Sequence, residues 1–359
     1  MSYYYNVDDD VNAFDGWAYV IVGGRNTGKT YSALKSCVVN KRPFCFIKRT
    51  MDDVDLLCAG SGKIGTKQNE YGVDLSPFKS INRDMHTNIN AFSIKTGLGG
   101  FWECDDDGLP GGKPIGYLIA LSAVTKFKGF DLSECDWIIF DEFIPQPWDR
   151  VNRKEGEQLL DLYKTVSRDR EHRGKDPIKL ICLANATSIS NPVSNILEVT
   201  DIMADMQVKN EPVYTDPDRG ILIHIISDNK EFQEKEKKSQ LYKAMGNTAW
   251  GKMAFDNVFA YNDLSNVGRS RLKGYKPITA FIYKDKEWYV YMKEGKYFLT
   301  SSPNNISDKY DLNKENDQKR FWTDQVYDLR NECIEGNMKF ESYSMYDLIV
   351  NYRKIFNIN

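Results

Sequence analysis

The sequence predicts an α/β protein: a P-loop domain on a parallel sheet, then a small helical linker and a C-terminal α+β domain. Three observations predict it. Apolar, strand-like runs alternate with helical stretches through the first half of the chain. The segment Gly23-Gly24-Arg25-Asn26-Thr27-Gly28-Lys29-Thr30 fits the pattern G-x-x-x-x-G-K-[ST] at every fixed position. From about Phe259 the pattern changes to short strands with tight turns, then to helices.

Taken in order, Ala18 to Val22 (AYVIV) is apolar and β-branched, as a buried strand should be. The glycine loop follows, and Tyr31 to Val39 continues as a helix. A strand feeding a glycine-rich turn and a helix N-terminus makes an anion site, because backbone N–H groups converge there and the helix dipole favours negative charge. Gly23 and Gly28 permit a close phosphate approach that a Cβ would obstruct. Lys29 is expected to reach the β/γ-phosphates of ATP and Thr30 to ligate Mg²⁺. Asn26 and Thr27 complete the cradle, and Arg25 meets either phosphate or a neighbouring acid.

Phe44 to Ile47 reads as a second strand and ends in Lys48-Arg49. The segment 97–116 is rich in Gly and Pro and reads as a hairpin or surface loop. Its acidic triplet Asp105-Asp106-Asp107 suits a solvated turn better than a cation site. Tyr117 to Val124, Trp137 to Phe140 and Lys179 to Leu183 are further strands, and Gln158 to Val166 is helical. Lys230 to Lys243 alternates in charge sign and predicts a solvated helix within a linker or lid over 201–257. Strands at Thr279 to Tyr283, Glu287 to Met292 and Lys296 to Thr300 then turn at Lys284-Asp285-Lys286 and Glu294-Gly295. Asp324 to Glu335 and Ser344 to Phe356 look helical. The expected boundaries are 1–200 for the P-loop domain, 201–257 for the linker and 258–359 for the last domain.

Composition narrows the function. A chain of 359 residues exceeds what one core usually serves. The net charge of -3 gives no bulk positive field, so nucleic acid must be met by local Lys and Arg. Seven cysteines, scattered and never spaced C-x-x-C, argue for reduced thiols in a cytosol and against a disulfide framework or structural zinc. His86, His172 and His224 make no metal or triad pattern in the sequence. No signal peptide is evident, and no apolar run is long enough to cross a bilayer.

Trp137-Ile138-Ile139-Phe140-Asp141-Glu142 carries the second chemical signal. Apolar residues lead into two adjacent acids, as in a Walker B strand. Asp141 is placed to hold Mg²⁺ and Glu142 to polarise the attacking water. The adjacent Glu points to the ATPase class of motors and helicases over GTPases and kinases. Asn185, after Ile181 to Ala184, is either a γ-phosphate sensor or a turn residue. Arg168, Arg170 and Arg173 end a helical stretch. They offer either an arginine acting in trans on a neighbour's γ-phosphate or pairs with the helix dipole and local acids.

GGRNTGKT, WIIFDEFI, VSRDREHRG, ICLANATSISNP and WGKMAFDN occur in the order and spacing of a DNA-packaging ATPase. Over roughly residues 15–260 the chain resembles the packaging ATPases of the small protein-primed tailed phages, the phi twenty-nine group. The resemblance implies an ASCE-type P-loop ATPase, assembled as a homopentameric ring on the portal of a prohead in the host cytoplasm. It implies translocation of double-stranded DNA, with a packaging RNA linking ring and portal and no membrane partner. By position, Lys29 and Thr30 become the Walker A contacts and Asp141 the metal ligand. Glu142 becomes the catalytic glutamate, Asn185 the sensor, and Arg168 (in V-x-R) the arginine finger, with Arg170 as the nearby alternative. The last domain then looks like an RNase H-type nuclease that has lost its active site. Thr279 to Tyr283 (TAFIY) carries no acid where a two-metal nuclease needs one, although Asp285 lies just beyond. The 97–116 segment and the modest match after residue 260 depart from the family pattern.

Nucleic acid contact has one candidate, the loop GRSRLKGYK with Arg269, Arg271, Lys273 and Lys276. It either holds phosphates of DNA or RNA or is a solvated linker. Lys48 and Arg49 belong nearer the nucleotide or a subunit interface. The expected function is an ATP-driven translocase packaging viral DNA. The alternatives are a terminase-type ATPase with a live nuclease and a nucleotide-gated portal assembly factor.

Overall fold

The computed structural model describes residues 4–60, 75–127, 131–146, 148–226, 234, 237–248, 251, 259 and 262–358. Two compact units emerge, Met1–Leu197 with Lys209–Tyr261, and Glu198–Val208 with Asn262–Asn359.

The first unit is built on one nine-stranded sheet. Its strands are β1 (Ala18–Val22), β2 (Phe44–Lys48), β3 (Ile89–Lys95), β4 (Leu98–Glu103), β5 (Gly116–Ala120), β6 (Trp137–Asp141), β7 (Lys179–Ala184), β8 (Val213–Asp216) and β9 (Ile221–Ile225). The spatial order is β3-β4-β5-β2-β6-β7-β1-β9-β8. The run from β5 to β9 is parallel throughout. Antiparallel β4 and β8 close it on either side. Parallel strands need cover on both faces, which is why β1 is buried at every residue and reads as an unbroken apolar run.

The expected strands and the helix Lys29–Val39 are present, with ends shifted by a few residues. The strand expected to reach Val124 stops at Ala120 and passes into a 3₁₀ turn, Leu121–Phe127. The 97–116 segment divides. Leu98–Glu103 is the second strand of a hairpin with β3, and the acidic triplet is a turn. There the Asp105 side chain accepts from the backbone of Asp107 and Leu109, which accounts for the triplet locally.

The main correction concerns the helical linker expected over 201–257. Helix Thr200–Lys209 falls mostly in the second unit, but Val213–Asp216 and Ile221–Ile225 are strands of the first sheet. The apolar run Ile221–Ile225 is nearly all buried, and the free side of β1 supplies the neighbour it needs. Of the charged stretch 230–243, Gln240–Met245 is helical, while 230–233 and 235–236 lie outside the described residues, as does most of WGKMAFDN.

The second unit carries β10 (Lys276–Tyr283), β11 (Lys286–Lys293), β12 (Lys296–Thr300), β13 (Tyr310–Asp311) and β14 (Met338–Phe340) in the order β13-β10-β11-β12-β14. β10 to β12 form the expected meander, while β13 and β14 add in parallel at its two edges. Both tight turns use positive φ at two successive residues, Lys284-Asp285 and Glu294-Gly295, as two-residue hairpins with a right-handed twist require. Phe281, Phe321, Phe340 and Tyr352 anchor its core.

Gly156, in helix Glu155–Ser167, marks close packing in the first unit. A Cβ there would stand 2.4 Å from the Pro192 carbonyl oxygen and 2.7 Å from Ile196 Cγ2. Gly156→Ala should destabilise the chain by about 1–3 kcal/mol despite alanine's better helix propensity, because backbone cannot give way. Chemical denaturation with an unchanged m-value checks this.

Candidate functional site

Strands of one direction deliver their following loops to one edge. Here β1, β2, β6, β7 and β9 all end at that edge, the place where open α/β sheets bind ligands. β7 lies in space between β1 and β6. The phosphate loop, the acid pair and Asn185 therefore emerge from neighbouring strands.

The loop is anchored at its start by the Gly23 N–H, which donates to the Ala184 carbonyl at the end of β7. Asn26 and Gly28 adopt positive φ (62° and 86°). Gly28 opens the helix, whose N-terminus has no side-chain cap. Its first-turn N–H groups therefore keep donor capacity for a ligand. Arg25 and Asn26 are exposed at the loop's rim. The Thr27 hydroxyl donates to the Gly24 carbonyl at 3.0 Å.

Lys29 is buried, and its ammonium donates to the carbonyls of Gly23 (3.1 Å) and Gly24 (2.7 Å). It also lies 3.2 Å from Thr27 Oγ1 and 3.4 Å from Asn185 Oδ1. Burial lowers its pKa to about 8, against the pull of Asp141 and Glu142. The Thr30 hydroxyl donates to Asp141 Oδ1 at 2.8 Å. Lys48, at the end of β2, donates to Asp141 Oδ2 at 2.7 Å and lies 3.6 Å from Glu142 Oε2. Burial works against the Lys48 charge, but Asp141 and Glu142 outweigh it and hold the ammonium above its usual value.

Glu142 takes φ 59°, uncommon for a residue with a Cβ, in the turn directly after β6. Its side chain is 62% exposed, so it remains open to water. Arg49 holds that turn, donating from Nη2 to the carbonyls of Glu142 (3.0 Å) and Phe143 (3.1 Å). It grips Glu155 with two further bonds of 2.8 and 3.1 Å. Burial raises the Glu155 pKa, and Arg49 opposes the rise. Sequence reading put Lys48 and Arg49 near the nucleotide but missed these partners. A basic pair directly after a strand was the available signal, while Glu155 lies 106 residues from Arg49 in sequence.

The donor set fits a magnesium-bound triphosphate. A hydroxyl and a carboxylate oxygen stand together as hard ligands, beside an uncapped helix N-terminus and a buried ammonium.

The two arginines separate. Arg170 is built into the fold. It donates to the carbonyls of Asp176 and Cys135 and pairs with Asp136 just before β6. Arg168 ends the helix Glu155–Ser167 with φ 41° and meets Asp131 at 3.4 Å. That helix of 13 residues spans about 20 Å. It runs from the Arg49–Glu155 pair at the site to Arg168 and Arg170, near the start of β6, at the far edge of the sheet. In the second unit, Arg269, Arg271, Lys273 and Lys276 are all exposed, and Lys293 packs against Gly274 of the same loop.

Residues 109–354 match the Podovirus DNA encapsidation protein (Gp16) family, well over half of the chain. The chain belongs to that family. The match reaches through the second unit, further than the motifs alone. The DNA packaging protein of Bacillus phage B103 is 26% identical over 354 residues, 96% of this chain and 89% of the relative. That of Bacillus phage PZA is 33% identical over 265 residues, 72% of this chain and 66% of the relative. The bacteriophage Phi-29 viral genome packaging motor assembly shares the fold, with a TM-score of 0.65 at 19% identity over 99% of this chain and 100% of its own.

Two predictions follow from the geometry. With Lys29 near pKa 8 in the free chain and kept protonated by the phosphate in the complex, ATP affinity should be flat just below that pH. It should fall by up to about tenfold per pH unit above it. Titrations up to about pH 10 check this, and Lys29→Arg should abolish the slope. Arg49→Ala strands the buried Glu155 and should cost about 3–5 kcal/mol, whereas replacing both partners by apolar residues should restore most of it. Denaturant unfolding of the single and double variants measures the difference.

Proposed function

We propose that this chain is the ATP-driven translocase that packages double-stranded viral DNA into a prohead through its portal. The observation carrying the proposal is the convergence of Lys29, the Thr30–Asp141 pair, Glu142 and Asn185 at one sheet edge of a chain from the encapsidation family. The P-loop unit is the ATPase. Its backbone and Lys29 would hold the triphosphate, while Thr30 and Asp141 would hold Mg²⁺. The ion would neutralise phosphate charge there. Lys48 keeps Asp141 oriented. Glu142, water-exposed and fixed through its carbonyl by Arg49, takes the proton of the attacking water. Asn185, whose Oδ1 lies 3.4 Å from the Lys29 ammonium, would act as the γ-phosphate sensor.

Arg168 stands at the opposite sheet edge from its own loop, so it reaches phosphate only in another copy. That supports a ring in which each site is completed in trans, and Arg170, tied down at Asp136 and Cys135, is its support and not the finger. We take the ring as a pentamer by family resemblance, acting with a packaging RNA at the portal in the host cytoplasm. The second unit serves as a vestigial nuclease domain. In support, β10 carries no acid and Asp285 lies in a hairpin turn. The basic loop 269–276 is the proposed phosphate contact for DNA or RNA.

ATP hydrolysis by the full chain should be weak alone and strongly stimulated by proheads with DNA. Tight binding without stimulated turnover would favour a portal assembly factor, and Mn²⁺-dependent DNA cutting a live nuclease. Subunits bearing Arg168→Ala mixed with subunits bearing Glu142→Gln should recover part of the activity that each lacks, and no recovery in mixed rings would rule out a finger in trans.

A further inference from the structure

The N-terminal helix Val7–Ala13 carries a buried carboxylate that the hydrolytic set does not use. Asp10 receives the Tyr5 hydroxyl at 2.6 Å. His224 Nδ1, on β9, stands 2.8 and 3.0 Å from its two oxygens. An ionised carboxylate only accepts, so the proton is assigned to Nδ1. The Tyr5 ring meets the His224 ring edge-on, with centroids 5.6 Å apart. Burial, reinforced by Asp10, pushes the Tyr5 hydroxyl far above its usual range, which keeps it a donor. Asp10 and His224 are 214 residues apart in sequence.

The two elements joined here are those that touch the two ends of the phosphate loop. On one side, the Tyr5 N–H donates to the Thr27 carbonyl at 3.0 Å, and Tyr4 lies where a Cβ on Gly28 would meet it at 3.0 Å. On the other, Ile226, two residues past His224, donates its N–H to the Val22 carbonyl and covers Gly23, where a Cβ would meet its side chain at 2.9 Å. The N-terminal helix is docked on the loop's helix without this pair, through Val7 N–H to Ser32 Oγ (2.7 Å) and Ser36 Oγ to Asp8 (2.6 Å). What Asp10–His224 adds is a tie from that helix to β9. Buried polar contacts add little net stability over apolar replacements, and fixing register is their best-attested use.

We propose that the Asp10–His224 pair, with Tyr5, is a positioning latch that sets the spacing between the two flanks of the phosphate loop and so the affinity for the triphosphate. The proposal rests on the nucleotide reading above.

The test uses the full chain, a fluorescent ATP analogue for binding, and stimulated hydrolysis for kcat and KM. His224→Ala should weaken binding and raise KM about tenfold with kcat within about twofold, the signature of lost ground-state binding. His224→Asn, whose side-chain N–H stands near the place of Nδ1, should restore most of the affinity. Asp10→Asn, which keeps shape but loses the charge, should resemble His224→Ala. By reciprocity, ATP should slow hydrogen exchange of the Tyr5–Asp10 amides in the unaltered chain, a readout that needs no variant to fold. The latch is overturned by unchanged affinity in His224→Ala and Asp10→Asn, by equal losses in His224→Ala and His224→Asn, by a loss confined to kcat, or by no ATP-dependent protection. Lys29→Ala separates the two readings. If it binds the analogue as tightly as the unaltered chain, the nucleotide reading fails and takes the latch with it. If it loses binding while His224→Ala and Asp10→Asn do not, the latch alone fails.

Discussion

Two sheet spacings, about 10 Å, separate the strand that feeds the phosphate loop from the strand that ends in Asp141. That separation is set by one inserted strand, β7, hydrogen-bonded to both neighbours in unbroken parallel register. Everything in the site is arranged across it. Thr30, the second residue of the helix, leans over to Asp141, while Asn185, directly after the inserted strand, reaches Lys29. Backbone hydrogen bonding, and not side-chain packing, fixes the width of the gap, so Thr30, Asp141 and Asn185 inherit their spacing from the ladder.

Charge is balanced locally around that gap. Two ammonium groups, the buried Lys29 and the half-buried Lys48, face the acids Asp141 and Glu142. The two lysines respond differently to similar burial. Lys48 has carboxylate oxygens at 2.7 and 3.6 Å and stays firmly charged, while Lys29 rests on neutral carbonyls and is lowered. A buried cation whose only close partners are dipoles is under-compensated, and a bound polyphosphate would supply the missing charge.

Much of this was legible in the sequence because the decisive groups are close in the chain or follow strong strand patterns. GGRNTGKT writes out its own geometry, and WIIFDE announces a buried strand ending in acids. The hairpin turns at Lys284-Asp285 and Glu294-Gly295 were also local facts. What stayed hidden depends on distant partners. Ile221–Ile225 is apolar but sits in polar surroundings, and only the open flank of β1 tells it apart from a linker. The Arg49–Glu155 grip and the Asp10–His224 pair join residues over 100 apart. Arg168 and Arg170 look alike in VSRDREHRG. Only the tertiary structure ties Arg170 to two other segments, 133–136 and Asp176.

The helix Glu155–Ser167 has its first residue clamped by Arg49, which also grips the turn of Glu142, and its last residue followed by Arg168. A hydrogen-bonded rod of this length is stiff along its axis, so a small displacement at its head arrives at its foot almost undiminished. On the trans reading, head and foot belong to different active sites. Successive sites around a ring would then be coupled in series through one rigid strut per subunit, and their timing would be a mechanical property of that helix as much as a chemical one.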